Sequence, residues 1–197
     1  QYDPAQPWSL TASHDAKPGN PKSIPLLFGG KHNYFLAAGR DGRIYAAGHH
    51  ERDSLGGSLA WYDPGSGASG GIREEMRKHD VTDLCSLNGG ELIVVSTFAV
   101  DGAATGRLFV YDAVAHRLAA TWDPFPDRSN AGHLFPAGPD HVMGLIPLAE
   151  TGTDQVKREY GLVYKMNVKT GKVLFQKRVD GKCFSGASAG EFLYYDA

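Results

Sequence analysis

The sequence predicts an all-β fold built from repeated four-stranded antiparallel units, and three observations support this prediction. Gly accounts for 25 of the 197 residues, about 13% against a usual ~7%. Short apolar runs follow turns rich in Gly or Asp, and their anchors Ile44, Leu92, Val142 and Phe192 are 48, 50 and 50 residues apart. A second series of apolar runs lies between the first, so each unit of about 50 residues contains several strands.

The strands of one unit are labelled A to D in chain order. Strand A is predicted at residues 34–38, 81–87, 133–137 and 182–187. Strand B is predicted at residues 44–47, 92–96, 142–145 and 192–195. Strand C is predicted at residues 57–63, 106–112 and 161–167, and strand D at residues 72–76, 117–122 and 172–179. Each strand C ends in Asp63, Asp112 or Asn167, and these side chains favour a turn because they bond nearby backbone amides. A two-turn helix over residues 72–79 is an alternative there, since charged helix formers are frequent in it.

The strand B runs are apolar without clean alternation, as at residues 92–96, which is typical of sheets covered on both faces. Four-stranded antiparallel units packed face to face around an axis are the blades of a β-propeller. The alternative, a two-sheet sandwich, predicts alternation and no fixed period. The predicted blades are residues 31–78, 79–128 and 129–179, with a half blade at 180–197 and the end of a preceding blade at 1–30.

These ends predict an incomplete ring, for which two interpretations remain. The chain is an excerpt of a six- to eight-bladed propeller, or a strand near residues 24–28 completes the blade that residues 192–195 begin and closes a four-bladed ring. The first interpretation predicts association through open blade flanks, visible as dimers or larger species in sedimentation.

Three segments resemble the repeat of quinoprotein-type and related surface-protein propellers: residues 58–64, 106–112 and 165–177, the last with a Thr-Gly-Lys turn before its outer strand. The resemblance implies the fold only, because such repeats serve enzymes, binding proteins and scaffolds. The vicinal cysteine pair of quinoprotein dehydrogenases is absent, since Cys85 and Cys183 are far apart, and no cofactor is predicted. Both cysteines are expected as buried free thiols.

The charge and hydropathy of the sequence argue against two classes of partner, nucleic acids and membranes. A net charge of −2 argues against binding nucleic acid through phosphate neutralisation. No apolar run approaches the roughly 18 residues of a membrane span.

The two ends of the predicted blades differ in chemistry. The A–B turns are short and rich in Gly and Asp, whereas the B–C and D–A loops at the opposite end carry histidine and arginine. We therefore expect a ligand-binding face at that opposite end, formed by His49, His50, Arg52, His79, Arg128 and His133. Arginine clamps anionic groups, and histidine, with an ordinary pKa of about 6.5, adds charge below that pH.

Several functions fit this face. The first is a platform for an acidic glycan or a small anion, which favours an extracellular or periplasmic location. The second is a polysaccharide lyase or hydrolase that uses His49, His50 and Arg52. The third is a structural half-propeller that assembles with another chain. A hydrated loop with local ion pairs among Glu51, Arg52 and Asp53 is the alternative without a ligand.

No metal site is predicted from ligand spacing. The alternative is that His49, His79, Asp80 and His133 converge on one ion. The strand aromatics are predicted to pack between blades: Tyr45, Trp61, Tyr62, Phe109, Tyr111 and Tyr164.

Overall fold

The computed structural model describes residues 4–5, 32–49, 56–151, 157–181, 186–189 and 192–195. Within these residues the chain forms three four-stranded antiparallel sheets and one two-stranded sheet. The first sheet contains β1 (His32–Ala38), β2 (Ile44–His49), β3 (Gly57–Tyr62) and β4 (Ser69–Ile72). The second contains β5 (His79–Leu87), β6 (Leu92–Ala99), β7 (Leu108–Asp112) and β8 (Arg117–Trp122). The third contains β9 (His133–Pro136), β10 (His141–Thr151), β11 (Lys157–Asn167) and β12 (Val173–Asp180), and the hairpin contains β13 (Gly186–Ala189) and β14 (Phe192–Tyr195).

Each sheet follows the chain in order, from an inner strand A to an outer strand D. Neighbouring sheets meet through their first strands: β5 contacts β1, β2 and β3 on one side and β9 on the other, and β9 contacts β13. The predicted four-stranded antiparallel blades are therefore confirmed. Within the described ranges, no strand pairing joins the β13–β14 hairpin to the first blade, so these sheets do not close into a ring. The predicted strand at residues 24–28 lies outside the described residues.

The cores lie between blades. One cluster of buried side chains fills the space between the first and second blades, and a second fills the space between the second and third. Four of the predicted inter-blade aromatics are buried in these clusters, namely Tyr45, Phe109, Tyr111 and Tyr164, and Trp61 packs against one of them while partly buried. Tyr62 is buried but belongs to neither cluster. Cys85 is a buried free thiol, as predicted, whereas Cys183 lies outside the described residues.

Three local predictions are corrected. The predicted strand at 72–76 ends at Ile72 and is followed by a 3₁₀ turn over Glu74–Met76, in which Met76 is buried against the inter-blade core. Residues 148–151 and 157–160, predicted as loop, extend β10 and β11 into a long hairpin in which Thr151 pairs with Lys157. His79 and Asp80, predicted in a D–A loop, are the first residues of β5 and pair with Ala99 and Phe98.

The turns after strand C have the predicted Asx geometry in all three blades. Asp63 Oδ1 accepts hydrogen bonds from the amides of Gly65 and Ser66, and Asp112 Oδ1 accepts them from Val114 and Ala115. Asn167 Oδ1 accepts the same pair of bonds from Lys169 and Thr170.

We expect Asn167→Ala to lower the free energy of unfolding by about 1 kcal/mol, because it removes the acceptor that satisfies two turn amides. Urea denaturation measures the change. Asn167→Asp is the matched control, since Asp fills the same position in the other two blades, and it should retain most of the stability. Equal losses in both variants would show that the turn does not depend on this acceptor.

Candidate functional site

The predicted site histidines that the structure describes lie at one end of the blades. His49 is the last residue of β2 and pairs with His32 at the start of β1. His79 and His133 are the first residues of β5 and β9. Because A and B strands are antiparallel, the ends of B strands and the starts of A strands share one edge of each blade. His50 and Arg52 lie outside the described residues.

His49 forms a pair with a carboxylate of the next blade. Its Nδ1 lies 2.5 Å from Asp80 Oδ1, and the two side chains are 29% and 21% exposed. The imidazole also lies beside Phe98, with ring centroids 6.2 Å apart. This short contact joins the first blade to the second and restrains the imidazole of His49 between them.

His133 forms a similar pair from the other side. Its Nδ1 lies 3.6 Å from Asp83 Oδ2, and the histidine side chain is 34% exposed. Asp83 is itself fixed by two backbone amides, because Oδ2 accepts a 2.8 Å hydrogen bond from Leu134 and Oδ1 accepts a 2.7 Å bond from Leu84. The carboxylate therefore holds the third blade against the second as well as facing the imidazole.

The two pairs share strand β5. Asp80 and Asp83 flank a register shift at Thr82, whose hydroxyl donates to Ser96 Oγ at 3.0 Å. A β-bulge inserts an extra residue and re-aims the side chains around it. We call His49, Asp80, Asp83 and His133 the His–Asp rim: one strand carries two carboxylates, and each neighbouring blade supplies a histidine.

His79 has a different environment from that predicted. It is buried, with 4% exposure, and its ring packs edge-on against Phe109 at a centroid distance of 5.5 Å. Its Nδ1 has no hydrogen-bond partner among the described residues. Burial, assisted by the charge of Arg107, holds the pKa of His79 below its ordinary value, against the opposing effect of Asp123. The structure therefore places His79 beneath the surface.

Arg128 lies in a separate feature. It lines a groove of about 490 Å³ between the connection at residues 124–128 and the beginning of β12, the outermost strand of the third blade. The residues of the alternative metal site do not converge, because no group of three or more His, Cys, Asp or Glu side chains suited to a metal ion occurs in the described ranges.

Arginine contacts that the sequence did not predict lie at the opposite end of the blades, where little reactive chemistry was expected. Arg40 contacts Glu91 of the next blade. Arg43 lies 3.9 Å over the Trp61 ring, and its Nη1 donates to His116 Nδ1 at 2.6 Å. Arginine has no acceptor, so His116 accepts through Nδ1 and carries its proton on Nε2. The charged residues that flank each A–B turn are the feature of the sequence that could have predicted these contacts.

No helix in the described part of the chain is long and apolar enough to cross a membrane.

Comparison with known proteins adds information on the fold. No protein-family model matches the chain, and no curated protein matches it. A chain of the mitotic checkpoint complex is similar in structure, with a TM-score of 0.55, 13% identity, and coverage of 91% of this chain and 50% of that one. An acylaminoacyl peptidase from Pyrococcus horikoshii matches with a TM-score of 0.56 at 10% identity, over 81% of this chain and 27% of the peptidase. This chain thus spans half or less of those chains. The likeness shows the fold, an all-β propeller of four-stranded antiparallel blades.

Proposed function

We propose that the protein is a ligand-binding platform, and that the face bearing the His–Asp rim binds an acidic glycan or a small anion. The observation that carries the proposal is that His49 and His133, from the blades on either side of β5, each contact a carboxylate of that strand. Both imidazoles are about one-third exposed, so each presents an oriented ring to solvent.

Chemistry supports an anionic ligand at this face. Each imidazole is partly exposed, and its ring N–H can donate a hydrogen bond to an acidic group of the ligand. Arg52, three residues after His49 in the sequence, would supply permanent charge to the same ligand. An acidic glycan fits such a face because its carboxylate or sulfate groups recur along the chain and would contact several blades.

A second candidate, a uronate-specific polysaccharide lyase, is favoured by the 2.5 Å contact between His49 and Asp80. A carboxylate that orients an imidazole is the arrangement used by general bases. In such a lyase the base removes the proton next to the uronate carboxylate, and the electron pair of that C–H bond forms a carbon–carbon double bond. The glycosidic oxygen leaves with the electron pair of the C–O bond and takes up a proton. Incubation with polygalacturonate or alginate distinguishes the two candidates, because only a lyase produces an unsaturated product that absorbs ultraviolet light.

A third candidate, assembly with another chain, is favoured by the exposed aromatic side chains of β14. Phe192 and Tyr194 are largely exposed on the two-stranded sheet, and no third strand pairs with that sheet among the described strands. Exposed apolar faces promote association. Sedimentation equilibrium tests this candidate separately from ligand binding.

We expect replacement of His50 and Arg52 together by Ala to weaken binding of an acidic oligosaccharide such as a polygalacturonate hexamer. Loss of charge-assisted hydrogen bonds, each worth about 1.5–3 kcal/mol, predicts a loss of affinity of roughly tenfold or more. Isothermal titration calorimetry measures the affinity, and thermal denaturation should show a nearly unchanged Tm.

The matched control is His116→Asn with Arg117→Ala, a histidine and an arginine at the opposite end of the blades. Asn is chosen because residue 116 has a positive φ of 53°, which Asn tolerates. This control should bind like the parent protein. An equal loss of affinity in both double variants would show that binding depends on the overall surface charge and not on this face. A large fall in the Tm of the His50→Ala, Arg52→Ala variant would show that these two residues are structural.

A further inference from the structure

One wall of the groove beside β12 is apolar, although the fold does not need apolar residues at these positions. The wall includes Leu174 and Phe175, which are 48% and 50% exposed. Phe125 lines the groove from the connection between the second and third blades. The groove volume of about 490 Å³ falls within the range of roughly 300–1,000 Å³ common for binding sites.

The corresponding outer strand of the second blade, β8, shows which residues folding requires at these positions. In β8 the register shift passes Ala119, between Leu118 opposite Tyr111 and Ala120 opposite Val110. In β12 the shift passes Leu174, between Val173 opposite Met166 and Phe175 opposite Lys165. The two strands therefore correspond residue by residue, and Leu174 and Phe175 of β12 stand where β8 has two alanines.

The backbone of β12 is open for pairing. It is the outermost strand of its sheet and pairs with β11 on one side, and no described strand lies on its other side. An open edge strand presents unpaired N–H and C=O groups to which an extended peptide can add as a further strand.

The strand beside the groove carries charge of one sign. Residues 172–178 include Lys172, Lys177 and Arg178 and no acidic residue. Arg128 lines the groove from the opposite wall, next to Asp127. A complementary partner therefore carries acidic groups between its apolar side chains.

We propose that this β12 groove binds an extended peptide segment of a partner protein in which acidic and apolar residues alternate. The segment adds alongside β12, its apolar side chains cover Leu174 and Phe175, and its carboxylates approach Arg128 and Lys177. Alternation follows from the period of a β-strand, which sends successive side chains to opposite faces. The site is independent of the His–Asp rim and of the ligand proposed for it.

A labelled peptide tests the proposal on the whole chain. The probe is a fluorescein-labelled hexapeptide of alternating Glu and Leu, and fluorescence anisotropy should show saturable binding. The double variant Leu174→Ala with Phe175→Ala installs the residues of the second blade, so its sheet should remain intact, and it should weaken binding by at least about tenfold. Arg128→Glu should weaken it similarly, whereas Arg117→Glu on β8 should not.

Other outcomes overturn the proposal. A hexapeptide of alternating Lys and Leu that binds equally well would show unspecific apolar adsorption. Unchanged affinity in the Leu174→Ala, Phe175→Ala variant would place the peptide elsewhere. Absence of saturable binding, together with a dimer in sedimentation that this variant dissociates, would identify a second copy of the chain as the occupant.

Discussion

Replacing Gly144 by Ala is expected to lower the free energy of unfolding by about 2–4 kcal/mol, the cost of forcing atoms into a packed core and disturbing a buried hydrogen bond. Gly144 lies on β10 directly opposite Tyr164 of β11, and the ring of Tyr164 occupies the space that a Cβ at residue 144 needs. Tyr164 is fully buried, and its hydroxyl donates a 2.7 Å hydrogen bond to the carbonyl of Ala131. The ring therefore cannot move without breaking that bond.

The second blade provides the matched comparison. Counted back from the Asx turns at Asp112 and Asn167, Phe109 corresponds to Tyr164, and its direct partner Val95 corresponds to Gly144. Gly144→Val alone should be more destabilising than Gly144→Ala, and adding Tyr164→Phe should recover part of the loss, because the double variant installs the Val–Phe pair that already packs at this position in the second blade. A double-mutant cycle by urea denaturation measures the coupling. Additive losses would show that the ring and the glycine do not compete for the same space.

The repeat and most strands were predictable because their signals are local. A Gly- or Asp-rich turn followed by an apolar run specifies a turn and strand B within about ten residues, and all four predicted B strands occur, from Ile44 to Tyr195. The Asx turns at Asp63, Asp112 and Asn167 are local for the same reason, since acceptor and donors are two or three residues apart.

The errors arise where pairing, and not local composition, decides the structure. Residues 148–151 and 157–160, in which charged and polar side chains predominate, were predicted as loop, yet they form strand because they pair with each other across the hairpin. Met76 was assigned to strand D as an apolar residue, but its burial is achieved by a 3₁₀ turn that inserts it between blades. Apolar character alone does not distinguish the two.

In the candidate site, too, the sequence predicted the position of residues but not their contacts with neighbouring blades. Topology allowed the sequence to place His49, His79 and His133 at one end of the blades. The partners of His49 and His133, and the burial of His79, depend on how neighbouring blades pack. Asp80 and Asp83 are separated from their histidine partners by about 30 and 50 residues, so no local pattern announces either pair.

The buried His79 predicts a loss of stability in acid. The unfolded chain binds a proton at His79 with a pKa near 6.5, whereas burial and Arg107 hold the pKa lower in the folded protein. Between these two values the unfolded state binds more protons, so the free energy of unfolding falls as the pH falls, by up to about 1.4 kcal/mol per pH unit from this group. Above pH 6.5 the histidine is neutral in both states and contributes no pH dependence.

His79→Phe removes this contribution, because phenylalanine does not titrate and retains an aromatic ring against Phe109. Urea denaturation from pH 7.5 to 5 should show a shallower loss of stability in the variant than in the parent protein. It should also show no large loss at pH 7.5, since an unpartnered buried nitrogen is replaced by an apolar group. His116→Asn, at an exposed histidine, is the control and should keep the steep profile. Parallel profiles for the parent and His79→Phe would mean that His79 is protonated equally in both states, and the acid sensitivity would then belong to other groups.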